Sequence, residues 1–154
     1  VKVCAQNNWS IAISNFCSDE IIYDHIKNYL NYSNLNKNEA LKKIKLTKLM
    51  NVVENKSDID KFSYNENSPF VKVISTLYKK LKTYNKHQIF GENVNSVTDA
   101  VKNTLLAGTP DKVKSYFEKI KNDYGELGSI IFVTIPKTNL KIYDDSLELF
   151  AKYV

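Results

Sequence analysis

Residues 38–54 read NEALKKIKLTKLMNVVE, and the fold turns on how this stretch is read. Asn38 can cap a helix running to about Glu54. The apolar residues Leu41, Ile44, Leu46, Leu49, Met50, Val52 and Val53 surround much of its axis, which predicts a central helix or a bend near Thr47. Lys42, Lys43, Lys45 and Lys48 form the densest positive cluster and read as a solvated face.

Downstream, residues 55–67 are polar and turn-rich, a loop with Ile59, Phe62 and Tyr64 tucking down. Ser68 to Tyr84 is a strongly amphipathic helix. Ser68 caps it, Pro69 takes its first position, and Phe70, Val71, Ile74, Leu77, Tyr78, Leu81 and Tyr84 line one face. A connector holding His87 and Gly91 leads to a helix over about 95–107, with Gly108 as its left-handed stop. Thr109-Pro110-Asp111 starts the next helix, striped by Val113, Tyr116, Phe117, Ile120 and Tyr124 and ended by Gly125. SIIFVTI (129–135) is open to two readings. It could be a strand pairing with LKIY through a PKTN turn, as a short β-hairpin, or a helix broken at Pro136 and resumed with Thr138 as cap. The second is preferred, because an isolated hairpin is marginal.

Upstream, residues 31–38 (NYSNLNKN) are a polar connector. Ser18 caps a helix with the stripe Ile21, Ile22, His25, Ile26, Tyr29 and Leu30, on which His25 reads as a core histidine. WSIAISNF (9–16) is a short helix or an extended arm. Trp9, the one tryptophan, is expected to pack onto the domain rather than stand out as an exposed anchor.

These readings add up to an all-α fold: one helical domain over residues 1–154, a bundle of about six or seven helices. Four glycines and three prolines among 154 residues favour helices over a many-stranded sheet. The 22 basic residues are all lysine, and against 17 acids they leave a charge of +5. Such a balance attracts polyanions. Lysine lacks the planar fork with which arginine grips phosphate and guanine, so a nucleic-acid partner is not expected. No apolar run is long enough to span a membrane.

Cys4 and Cys17 are the only cysteines. In a chain that starts without methionine they suggest a disulfide in a secreted or surface-displayed protein, a bridge that would stabilise by about 3 kcal/mol. Of three Asn-x-Ser sequons, those at Asn31 and Asn55 fall in expected loops and are candidate glycosylation sites. Signatures of catalysis are absent: no GK[ST], GxGxxG, GxSxG or HExxH occurs, and two histidines with two cysteines lack zinc-site spacing. No metal and no cofactor is therefore expected.

The resulting functional expectation is a non-enzymatic binding module that engages a protein partner. Its candidate patches are Lys79, Lys80 and Lys82 on one helix and Lys112, Lys114, Lys119 and Lys121 on another. The alternative is a carrier of lipid or another apolar small molecule, suggested by seventeen Tyr and Phe residues. An enzyme ranks third, with His25 beside Asp19, Asp24 or a cysteine as the place to look.

Overall fold

Residues 38–54 do not form one helix. In the computed structural model, which describes residues 1–133, 135 and 140–154, Asn36 caps a short helix α3 (Lys37–Lys42) by accepting a hydrogen bond from the Glu39 amide at 3.0 Å. The chain leaves the helix at Lys43 and runs extended as β2 (Ile44–Val52). Ile44, Leu46, Lys48, Met50 and Val52 alternate with Leu49 and Asn51, and all seven are buried. Lys45 is exposed and Thr47 half-buried, but from Lys48 on the strand is covered on both faces, and its mainly apolar run there matches the pattern of a central helix.

β2 is the spine of a parallel sheet. β1 (Ile11–Ile13) pairs with it in the register Ile11 to Ile44, Ala12 to Lys45 and Ile13 to Leu46. β4 (Ser129–Val133) pairs from Lys45 to Leu49, and β3 (Leu106–Gly108) from Met50 to Val52. Because β1 and β4 share partners on β2, they lie on its opposite sides. The all-α expectation is thus corrected to α/β, with a four-stranded parallel sheet among the described residues. The C-terminal hairpin is corrected too: SIIFV is a strand, but it pairs in parallel with β2. Thr134 and the expected break, turn and cap at Pro136–Asn139 lie outside the described residues.

The helices between strands are closer to the expectations. α2 (Asp19–Tyr32) follows β1, though Ser18 sits at its cap position without a side-chain cap bond. After β2 come α4 (Ser57–Ile59), a π-type turn (Asp60–Tyr64) and α5 (Pro69–Thr83), where Ser68 Oγ accepts from the Phe70 amide at 3.3 Å. α6 (Val97–Thr104) is closed by a capping box between Ser96 and Asp99, and ends early enough for Leu106–Gly108 to become β3. Gly108 is therefore the end of a strand and not a helix stop. α7 (Pro110–Tyr124) stops at Gly125, whose φ of 116° lies in the region that favours glycine. α1 (Lys2–Gln6) and α8 (Leu140–Tyr153) begin and end the described chain.

Three apolar clusters meet on β2. Ile44 and Leu46 pack with Ile13, Ile22, Ile26, Tyr29 and Ile120. Leu49 packs with Phe70, Ile74, Tyr78, Phe90, Val101 and Tyr143. Met50 and Val52 pack with Leu106 and Val113, and with the partly buried Phe117, Phe132 and Phe150. The sheet organises the core. Burying these side chains supplies the main favourable term, about 25 cal/mol per Å² of apolar surface.

Candidate functional site

All strands of the sheet run the same way, so their carboxyl ends share one edge, and in open α/β sheets that edge is where ligands bind. Here it is stepped. β1 ends level with Leu46, whereas β2 runs on to Val52 beside Gly108. The Val53 amide continues this contact by donating to the Gly108 carbonyl at 2.9 Å.

A cleft of about 490 Å³ opens at the raised step. Val52, Val53, Phe62, Ile142, Leu149 and Tyr153 give it an apolar lining, while Glu54, Asp58, Asp145 and Glu148 bring carboxylates to its walls. Among the described residues Lys152 is the one cation in the lining, and its ammonium lies 5.0 Å from the centre of the Tyr153 ring. Hydrogen bonding to Tyr153 holds that lysine above its ordinary pKa. α8 supplies half of the lining and is fixed by Ser146, whose buried hydroxyl accepts from the Val52 amide at 2.7 Å.

Next to the cleft, α7 starts directly after β3. Thr109 occupies its cap position without a side-chain cap bond, and Pro110 follows at the first helical position. By helix geometry the amides of Asp111 and Lys112 have no partner within the helix, a turn suited to an anion. Two features oppose one: Asp111 itself, and Lys112, which folds back to donate to the Ala107 carbonyl at 2.8 Å.

A second polar constellation sits under the sheet. Lys48 is 2% exposed and its ammonium stands 2.8 Å from Asp19 Oδ1. The Tyr116 hydroxyl donates to the same oxygen at 2.7 Å. Burial first, and the Asp19 charge second, push the Tyr116 phenol well above its ordinary pKa. Burial also raises the nearby Cys17 thiol, against the opposing charge of Lys48. The cluster ties β2 to the start of α2 and to α7, and it reads as bracing.

The residues singled out from sequence fall elsewhere. Cys4 and Cys17 are both free, so the expected disulfide is corrected. The segment between them is held by β1 joining β2, and Cys17 is buried while Cys4 packs at the margin of the same cluster. Lys79, Lys80 and Lys82 are exposed on α5, and Lys112, Lys114, Lys119 and Lys121 on α7. The two helices pack in different clusters. Lys119 and Lys121 are engaged with Asp123 and Glu126, each at 2.6 Å. Asn31 is exposed within α2 rather than in a loop, and Asn55 is exposed at the cleft. Asp19 serves Lys48 and not His25, whose pKa is lowered by burial. Trp9 is exposed and not packed on the domain. Among the described residues, no group of three His, Cys, Asp or Glu side chains is placed to hold a metal, and no helix is long and apolar enough to cross a membrane. Sequence reading missed the cleft and the Lys48 cluster, because both depend on seeing β2 as a strand.

No family model and no curated protein matches the chain. Among solved structures, the chain is similar to a type II Baeyer–Villiger monooxygenase, the oxygenating constituent of 3,6-diketocamphane monooxygenase from the CAM plasmid of Pseudomonas putida, in complex with FMN. The TM-score is 0.72 at 14% identity, over 99% of this chain and 44% of that one. The chain thus spans less than half the length of its structural neighbour. The likeness is one of fold, and it is to an enzyme. It overturns the expectation of a non-enzymatic helical binding module. With no bridge between Cys4 and Cys17, the disulfide-based argument for secretion also falls.

Proposed function

We propose that this chain is part of a flavin-dependent enzyme of the oxidoreductase class, with FMN held at the carboxyl edge of β2 and β3. The observation that carries the reading is the likeness in fold, along nearly the whole chain, to an FMN-bound monooxygenase. The residues at the edge fit the parts of the cofactor. A cleft of about 490 Å³ is of the size that organic ligands occupy. Phe62, Leu149 and Val53 offer apolar surface to a planar ring. The carboxylates of Asp145 and Glu148 can accept hydrogen bonds from sugar-alcohol hydroxyls. The phosphate fits the first turn of α7, where Thr109 has an uncommitted side chain and the helix start favours an anion. Bound there, the cofactor supplies two-electron redox chemistry, and the protein supplies its position and surroundings.

Titration of FMN against the purified chain, followed by flavin fluorescence polarisation, tests this. A saturable rise is expected, weakened roughly two- to tenfold in Phe62→Ala through loss of ring packing. A flat response up to about 1 mM flavin, where binding energy is down to about 4 kcal/mol, would overturn the reading.

A further inference from the structure

The net charge of +5 is not spread evenly over the chain. Between Ser68 and Gly91 stand five of the 22 lysines, Lys72, Lys79, Lys80, Lys82 and Lys86, and none of the 17 acids. The remainder is balanced, seventeen lysines against seventeen acids, so the whole excess sits on α5 and the turn after it. At about 100° per residue the four helical lysines fall within about 160° of arc and span about 15 Å of the axis. They lie opposite the buried stripe of Phe70, Ile74 and Tyr78. All five are exposed, and among the described residues none has a carboxylate within ion-pair distance. Asp60 and Asp99, on elements packed against α5, form no ion pair with them, and Asp99 is closed onto Ser96. The dipole at a helix end favours Lys80 and Lys82, but neither Lys72 near the start nor Lys86 beyond the end. Tyr84, set among these lysines where α5 ends, is 65% exposed.

We propose that this face of α5 docks an acidic protein surface, with carboxylates against the lysines and an apolar side chain against Tyr84. Charge complementarity is the ground for this occupant. A cluster of like charges with no internal partners repels itself, and opposite charge from outside relieves it and steers the encounter. Tyrosine is enriched at the centres of interfaces, where its ring gives rigid contact area and its hydroxyl a hydrogen bond. Lysine suits the wet rim around such a centre. A nucleic-acid strand fits less well, because the face has no arginine fork for phosphate and one exposed ring for bases to stack on. An anionic membrane also fits less well. Stable surface binding combines cations with inserted apolar side chains, and Tyr84 is the one large exposed hydrophobic residue between Ser68 and Gly91. This inference does not depend on the flavin reading.

A short fluorescein-labelled peptide of glutamates interrupted by leucines, titrated with the full chain at low salt and read by anisotropy, tests it. The wild type is expected to bind saturably. Lys79→Glu, Lys80→Glu and Lys82→Glu together are expected to weaken binding roughly tenfold, the combined effect of three exposed pairs. Lys27→Glu, Lys37→Glu and Lys114→Glu alter exposed lysines on α2, α3 and α7 that make no ion pair, and change the net charge equally. They are expected to cost less than about threefold, because only the screened long-range field changes. If the first triple variant loses helix by circular dichroism, glutamine at the same three positions is expected to weaken binding in the same direction with the helix retained. Tyr84→Ala is expected to reduce the preference for the leucine-bearing peptide over an all-glutamate one and to leave the salt dependence unchanged. An absence of saturable binding, equal losses from the two triple variants, or tighter binding to single-stranded DNA or phosphatidylserine vesicles than to the peptide would each overturn the proposal.

Discussion

Lys48 is an ammonium group set inside a sheet, and its surroundings make an unequal partnership. Its carboxylate partner, Asp19, is 46% exposed, whereas the lysine is 2% exposed. Removing one member of the pair is therefore not equivalent to removing the other. Asp19→Asn strands a buried charge and is expected to lower unfolding stability in urea by roughly 3 kcal/mol. Lys48→Met leaves an aspartate that water and the Tyr116 hydroxyl still serve, and is expected to stay within about 1 kcal/mol of wild type. Equal losses would mean that the pair is not the brace described above. His25 gives a second asymmetry, this time with pH. Burial lowers its pKa, with Asp24 opposing and the N-terminal charge adding to the shift. A base with a depressed folded pKa binds more protons when unfolded, so its contribution is intact above the ordinary value of 6.5 and is lost as pH falls through the folded pKa. Denaturant midpoints measured downward from pH 7 should thus fall less steeply in His25→Gln than in wild type.

At the scale of elements, the amphipathic helices were legible and the strands were not, for one physical reason. α5 and α7 each carry a stripe, a proline at the first position and a capping residue, so pattern and termini agree. β2 alternates only over Ile44–Thr47 and is buried on both faces beyond them, so its period of two is cut short; in parallel sheets apolar runs of this kind are ambiguous with buried helix. β1 and β3 are three residues each, too short to carry any period. β4 was open to a strand reading from its β-branched run, but a nearby strand in the sequence suggested a hairpin, whereas its partner lies more than eighty residues upstream. Gly128 shows what sequence hides at such a junction. Its amide donates to the Leu41 and Ile44 carbonyls at 3.0 Å each, and a Cβ there would run into the Lys42 carbonyl oxygen. The cleft was illegible for the same reason, since it exists only where β2 ends and α8 crosses that end. The bond from the Val52 amide to Ser146 fixes that crossing. Ser146→Ala leaves a buried amide without its acceptor and is expected to cost about 1–3 kcal/mol of unfolding stability. If α8 is held mainly by this bond, hydrogen exchange in residues 142–153 should rise more than in α5, and equal exchange in both helices would count against the anchor.

For the molecule as a whole, charge is distributed against its total. The chain carries +5, yet among the described residues the cleft lining holds four carboxylates and one lysine. The net charge draws an anion toward the surface from a distance, a term that salt screens over about 8 Å at physiological ionic strength. Once the anion arrives, the local field decides where it can rest. In the flavin reading proposed above, the phosphate lies at the first turn of α7, and Asp111 is the side chain in that turn that resists it. Neutralising this one carboxylate isolates the phosphate's share of binding. Asp111→Asn is expected to tighten FMN roughly two- to fivefold, the worth of a charge at a helix start, while riboflavin, which lacks the phosphate, stays unchanged. The difference should shrink as salt is raised, because the turn is open to solvent. A parallel gain for both flavins would mean that Asp111 acts on the ring or on the fold. No gain for either would place the phosphate away from α7 and leave Lys152, the cation among the cleft's described residues, as the group to alter next.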